Sequence, residues 1–126
     1  MGSRSAAELL RLPVRLNGIR LGRPVDLLLD PAEWRALGFV VLCGDESSRF
    51  LVFAAADLRE DAIDVSSALL LLEDVEFYRD RSRSLRDLLG VELRDLLVTP
   101  DGSVEALVVE RDGVLQQIEP ADMLTA

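Results

Sequence analysis

The strongest constraint on this chain is that two stretches of it read alike. From Leu21 the sequence runs Leu-Gly-Arg-Pro-Val-Asp-Leu-Leu-Leu-Asp-Pro, and from Leu89 it runs Leu-Gly-Val-Glu-Leu-Arg-Asp-Leu-Leu-Val-Thr-Pro. Each stretch turns into an apolar run, Ala36 to Cys43 and Val104 to Val109. Each then turns again into a strand-like segment and ends on a small-small-Asp-apolar step, Ala55-Ala56-Asp57-Leu58 and Pro120-Ala121-Asp122-Met123. Self-similarity of this kind means that one supersecondary unit is used twice, the copies sharing a core. The alignment pairs Gly22 with Gly90, Asp26 with Asp95, and Val40-Val41 with Val108-Val109.

Turn chemistry divides the chain into short strands. Ala6 to Arg11 reads as a short helical lead-in that Pro13 must end, because the residue before a proline is pushed out of the α region. Val14 to Leu16 alternates, and Asn17-Gly18 signals a type I′ hairpin into a strand from Ile19 to about Leu29. Asp30-Pro31-Ala32-Glu33 is a turn. Strands follow at Arg35 to Cys43, Phe50 to Ala54 and Ala62 to Val65. Trp34, Ala36, Gly38 and Val40 share one expected face, and Leu37, Phe39 and Val41 make the other just as apolar. Loss of alternation of this kind marks a strand buried on both sides, or a barrel with a second layer outside. Ser66 to Glu73 reads as a strand. Asp74 then caps a helix from Val75 to about Arg83. The second copy gives strands at Val91 to Val98, Val104 to Glu110 and Val114 to Ile118, with turn pairs at Asp101-Gly102 and Asp112-Gly113. The expected organisation is a lead-in over 1–12, a first unit over 13–73, a linking helix over 74–83 and a second, shorter unit over 84–126.

Composition excludes several functions. The 126 residues carry a net charge of −9, which opposes sequence-independent binding to nucleic acid, where affinity comes from neutralising phosphates. There is no histidine, and all 14 cations are arginine. The commonest general base and transition-metal ligand are therefore missing, as is the lysine of Schiff-base chemistry. One cysteine cannot build a disulfide framework. The apolar runs are too short to span a bilayer, and the N-terminus does not resemble a secretory signal. A cytoplasmic protein with no membrane span, cofactor or metal is expected.

Gly18-Ile19-Arg20-Leu21-Gly22-Arg23-Pro24-Val25-Asp26-Leu27-Leu28-Leu29-Asp30-Pro31, then Ala36 to Val41, then Phe50 to Leu58, resembles the PRC-barrel family, named for the H subunit of the photosynthetic reaction centre. The pattern is Gly-x-x-hydrophobic-Gly-x-Val-x-Asp-hydrophobic, a turn, a valine-rich strand, and a strand ending in a Pro-aromatic-x-Asp-hydrophobic step. Here Ala54-Ala55-Ala56 replaces the proline and aromatic before Asp57, and the second copy lacks the leading hairpin. The resemblance implies a mainly β fold, two PRC-barrel-like units in tandem. It implies a module that binds other proteins and carries no catalytic residues.

The candidate chemistry is correspondingly sparse. Cys43 ends an apolar strand with no histidine to activate it, and reads as a buried, inert thiol. Asp57, Glu60, Asp61 and Asp64 cluster, but not at calcium-loop spacing, and read as a solvated acidic edge. Asp26, Asp57, Asp95 and Asp122 fall at matching places of the two copies, where turn or cap roles are expected rather than acid–base work. Trp34 reads as core. Arg79, Arg81, Arg83 and Arg86 form the one basic cluster, broken by Asp80 and Asp87. It either docks the linking helix against the acidic units or contacts a partner.

The expected function is therefore a non-enzymatic protein–protein interaction or adaptor module, whose partner is another protein or a second copy. A small-ligand binder or enzyme using the acidic rim is the alternative from chemistry. A ribosome- or RNA-associated accessory protein is the alternative by fold analogy, since the same domain occurs in a ribosome-maturation factor.

Overall fold

The computed structural model describes residues 2–30, 32–90 and 92–120. In chain order the elements are β1 (Arg4–Ser5), α1 (Ala6–Leu9), β2 (Val14–Leu16), β3 (Ile19–Asp30), β4 (Arg35–Cys43), β5 (Ser48–Val52), β6 (Asp57–Leu58), β7 (Ile63–Asp64), β8 (Leu71–Leu72), α2 (Val75–Arg79), β9 (Arg83–Ser84), α3 (Leu85–Leu88), β10 (Leu93–Val98), β11 (Val104–Arg111) and β12 (Val114–Ile118). Strands dominate, as expected. No described helix is long and apolar enough to cross a membrane.

The strands form two open sheets. One has the order β1-β10-β11-β12; the other has β6-β7-β2-β3-β4-β5-β8, with β9 also paired to β3. Neither closes into a barrel, so the expected barrel outline is not what the strand order gives. The turns behave as their sequences dictate. Asn17 and Gly18 both have positive φ (51° and 82°), as do Asp112 and Gly113 (54° and 77°), the geometry of a type I′ hairpin. Asp30 accepts hydrogen bonds from the N–H groups of Ala32 and Glu33.

The ladders at the centre of the two sheets share one register. Pro24, Asp26, Leu27, Leu28 and Leu29 lie opposite Val41, Val40, Phe39, Gly38 and Ala36. Leu93, Asp95, Leu96, Leu97 and Val98 lie opposite Val109, Val108, Leu107, Ala106 and Val104. Both ladders slip just before the aspartate, and both slip again near their far end, where Leu37 and Glu105 are the extra residues. Gly22 and Gly90 do not correspond: Gly22 pairs with Cys43 inside β3, whereas Gly90 precedes β10 and its N–H donates to the carbonyl of Leu93.

A core draws on both sheets. Leu27, Leu29, Ala36, Phe39, Val41 and Leu51 from the larger sheet form one cluster with Leu93, Leu96, Val98, Leu107 and Val109 from the smaller. The opposite face of the larger sheet is also covered. Leu28, Val40 and Phe50 pack with Val75 of α2, and Leu37 and Tyr78 pack against them. The doubly apolar pattern of β4 is thus a helix laid over its outer face. The bulge at Leu37 also corrects the face assignment: Ala36 joins Phe39 and Val41 in the main core, while Val40 faces α2.

The middle of the chain departs furthest from expectation. Instead of one strand over 66–73 there is a 3-10 turn at Ala68–Leu70, capped by the Ser67 hydroxyl, and then the two-residue β8. Asp74 caps α2 as expected, accepting from the Phe77 N–H, but the helix stops at Arg79 rather than near Arg83. Likewise Phe53–Ala55 leave the expected strand for a 3-10 turn. Trp34, with φ of 51°, sits half-buried at the β3–β4 corner, packed against the core.

Candidate functional site

Asp26 and Asp95 stand at the same place in their ladders and are bound in the same way. Asp26, the one buried polar or charged residue among the described residues at 4% exposure, accepts from its neighbour Leu27 N–H (2.8 Å), from Arg86 N–H (3.2 Å) and from the Ser84 hydroxyl. Asp95 accepts from Leu96 N–H (2.8 Å), from Ala7 N–H (3.0 Å) and from the Ser5 hydroxyl. In each case an Arg-Ser pair lies against the strand and a one-turn helix follows. Ser84 and Arg83 pair with Leu28 and Leu29, and Ser5 and Arg4 with Leu97 and Val98.

The two connections cross. The N-terminal lead-in latches the smaller sheet, and the segment just before β10 latches the larger. Ala6, Leu9 and Leu85 are fully buried as a result. The sequence carried a signal for this that went unread, Arg-Ser followed by a leucine pair at 4–10 and again at 83–89. Both carboxylates are therefore occupied by backbone N–H groups and a serine hydroxyl, the pattern of a side chain that fixes local backbone.

Three of the four acidic residues of the edge, Asp57, Asp61 and Asp64, are paired with arginines beside them. Asp57 and Asp64 meet Arg59 at 2.8 and 3.4 Å, and Asp61 and Asp64 meet Arg15 at 3.3 and 3.7 Å. Asp57 pairs with Arg59, and among the described residues no turn amide donates to it, contrary to expectation. Asp122 lies outside the described residues. Among the described residues no group of three or more His, Cys, Asp or Glu is placed to hold a metal ion. Cys43 is half-buried rather than buried, and burial pushes its thiol up more than the nearby Arg49 draws it down, so the thiolate is not favoured.

The arginine cluster splits into three placements. Arg79 and Arg86 line an open groove with Arg23, Val25, Asp26, Ser84 and Asp87. Arg86 holds itself there by donating from Nε to the carbonyl of Val25, and Arg79 pairs with Glu76 of its own helix at 3.5 Å. Arg81 lies over the ring of Phe77, 3.8 Å from its centroid, and donates to the Phe77 carbonyl at 2.8 Å. Arg83 belongs to β9 and is exposed. Among the described residues, Arg86 alone of the four makes a side-chain hydrogen bond or ion pair outside its own segment. Arg23 reaches the groove from β3 and was not part of the sequence cluster, because fifty-odd residues separate it from the others.

Phe77 is the anchor of this face. It is 45% exposed, an unusual position for a large apolar ring. It meets Tyr78 edge-on at 5.1 Å, and Tyr78 stacks on the buried Phe50 at 4.0 Å. The exposed ring is thereby tied to the core through two aromatic contacts, each of a kind worth about 0.5–1.5 kcal/mol. No family model matches the sequence, and no curated protein matches it.

Proposed function

We propose that this chain is a non-enzymatic, cytoplasmic interaction module made of two PRC-barrel-like units, and that it docks an acidic segment of a partner protein on its arginine face. The shared register of the two central ladders, with both slips in the same places, and the matching aspartate anchors support the two-unit reading. The open sheets depart from the family's closed outline.

The observation that carries the functional reading is the open groove lined by Arg23, Arg79 and Arg86, together with the Phe77–Arg81 stack carried on and just after the helix that supplies Arg79. On a chain of net charge −9, three arginines line this one groove. Among the described residues only Arg79 of the original cluster forms an ion pair. Arginine and aromatic side chains together are the composition of interface hot spots, because they bury large area and keep directed donors. The occupation of Asp26 and Asp95 by backbone groups argues against the acidic-rim enzyme.

Affinity capture from the native cell extract, with the wild type beside an Arg79→Glu, Arg81→Glu variant, tests the reading. An acidic protein retained by the wild type, released by salt and absent from the variant is the expected outcome. Capture that is indifferent to both salt and charge reversal overturns it.

A further inference from the structure

We propose that the edge of β12 that no described strand covers pairs with β12 of a second copy, antiparallel about a twofold axis, joining two four-stranded sheets into one of eight strands. The surface involved is separate from the arginine face, and the inference does not rest on that reading.

The edge of the larger sheet shows what is missing from the smaller. β5 stands beside β4 as β12 stands beside β11: Leu51 faces Phe39, and Ile118 faces Leu107, at the same ladder position. β5 is closed on its far side by β8, where Leu72 and Leu71 pair with Phe50 and Leu51. At β12 the described residues supply no such strand. A strand edge left unpaired is a template for another chain unless it is blunted by charge, proline or a bulge. Val114-Leu115-Gln116-Gln117-Ile118 has none of these, and its ladder to β11 runs without a slip. Val114 and Leu115 are 56% and 61% exposed.

The occupant follows from charge and register. Two copies of a chain with net charge −9 repel over most of their surfaces, and this strand is an uncharged stretch they can share. Its sequence is complementary to itself when antiparallel. With Gln116 opposite Gln116, Val114 meets Ile118 twice on the face of the central glutamines, and Leu115 meets Gln117 twice on the other face. Beyond the strand ends, Glu119 of one copy approaches Asp112 of the other, a like-charge contact that added salt relieves.

Sedimentation velocity over a wide concentration range tests this on the full chain. The wild type is expected to pass from monomer to dimer, with association unchanged or strengthened by salt. Gln116→Lys sets two ammonium groups directly opposite at the twofold axis and is expected to raise the dissociation constant by up to about fivefold. Its melting temperature is expected to stay that of the wild-type monomer, since Gln116 is exposed. A wild type that remains monomeric throughout, a dimer indifferent to Gln116→Lys, or a dimer abolished by salt or by Arg81→Glu each overturns the proposal.

Discussion

At Asp26 one carboxylate oxygen serves two N–H groups while the other takes a serine hydroxyl. Asp26→Ala strands those donors in a buried site and is expected to cost about 2–4 kcal/mol in urea unfolding. Asp26→Asn keeps a carbonyl for the two N–H groups, and its amide can donate to the serine oxygen once the hydroxyl rotates. It is expected to recover most of that loss; a loss as large as that of alanine would show that the charge itself is required. Exposed aspartates give the pH dependence. Asp45 is held below the usual carboxylate range by the Ser47 hydroxyl and N–H, and Asp101 by the Thr99 hydroxyl and the Ser103 N–H. A carboxylate whose folded value is lowered contributes stability above the ordinary range and loses it as pH falls through the lowered value. Asp101→Asn is therefore expected to flatten the acid limb of the stability profile. An acid limb as steep as that of the wild type would remove Asp101 from that role.

The elements show what the sequence could and could not disclose. β4 and β12 are read at their observed bounds, because turn residues with positive φ or a proline fix both ends. The span at 66–73 is misread, because four consecutive leucines carry no period and the choice between strand and 3-10 turn falls to tertiary contacts. The bulge at Leu37 is invisible to an alternation argument, since it appears only when the partner strand is aligned. The arginine face was half legible. Its cluster at 79–86 is contiguous in sequence, but Arg23 and the aromatic path through Tyr78 to Phe50 exist only in three dimensions. The latches are short helices of four residues, far below the length at which a helix is stable alone, so their order must come from docking. Leu9→Ala and Leu85→Ala each remove a fully buried side chain and are expected to cost about 2–5 kcal/mol. A latch that tolerates the change, with no shift of the unfolding midpoint, would be an ornament rather than a fastening.

On the scale of the whole molecule the crossed latches decide how it unfolds. Each sheet is completed by a segment that continues directly into the other, so opening one releases a fastening of its neighbour. The sheets are also joined at their corner: Ala36 N–H donates to Gly102 carbonyl at 2.7 Å, Val104 N–H to Trp34 carbonyl at 2.9 Å, and the Arg35 guanidinium to Asp101 carbonyl at 2.7 Å. One apolar cluster lies between them. Units coupled by core, backbone and latch are expected to melt together, although the chain reads as two similar halves. Leu107→Ala, a fully buried change in the smaller sheet, separates the possibilities. If the coupling holds, the slowest-exchanging amides of β4 lose protection by the same factor as those of β11, because both exchange only through global opening. Trp34 fluorescence and far-UV circular dichroism then trace one transition at a lower midpoint. Protection lost in β11 alone, with β4 unchanged, would instead mean that the halves fold as separate units and that the latches are too weak to bind them into one.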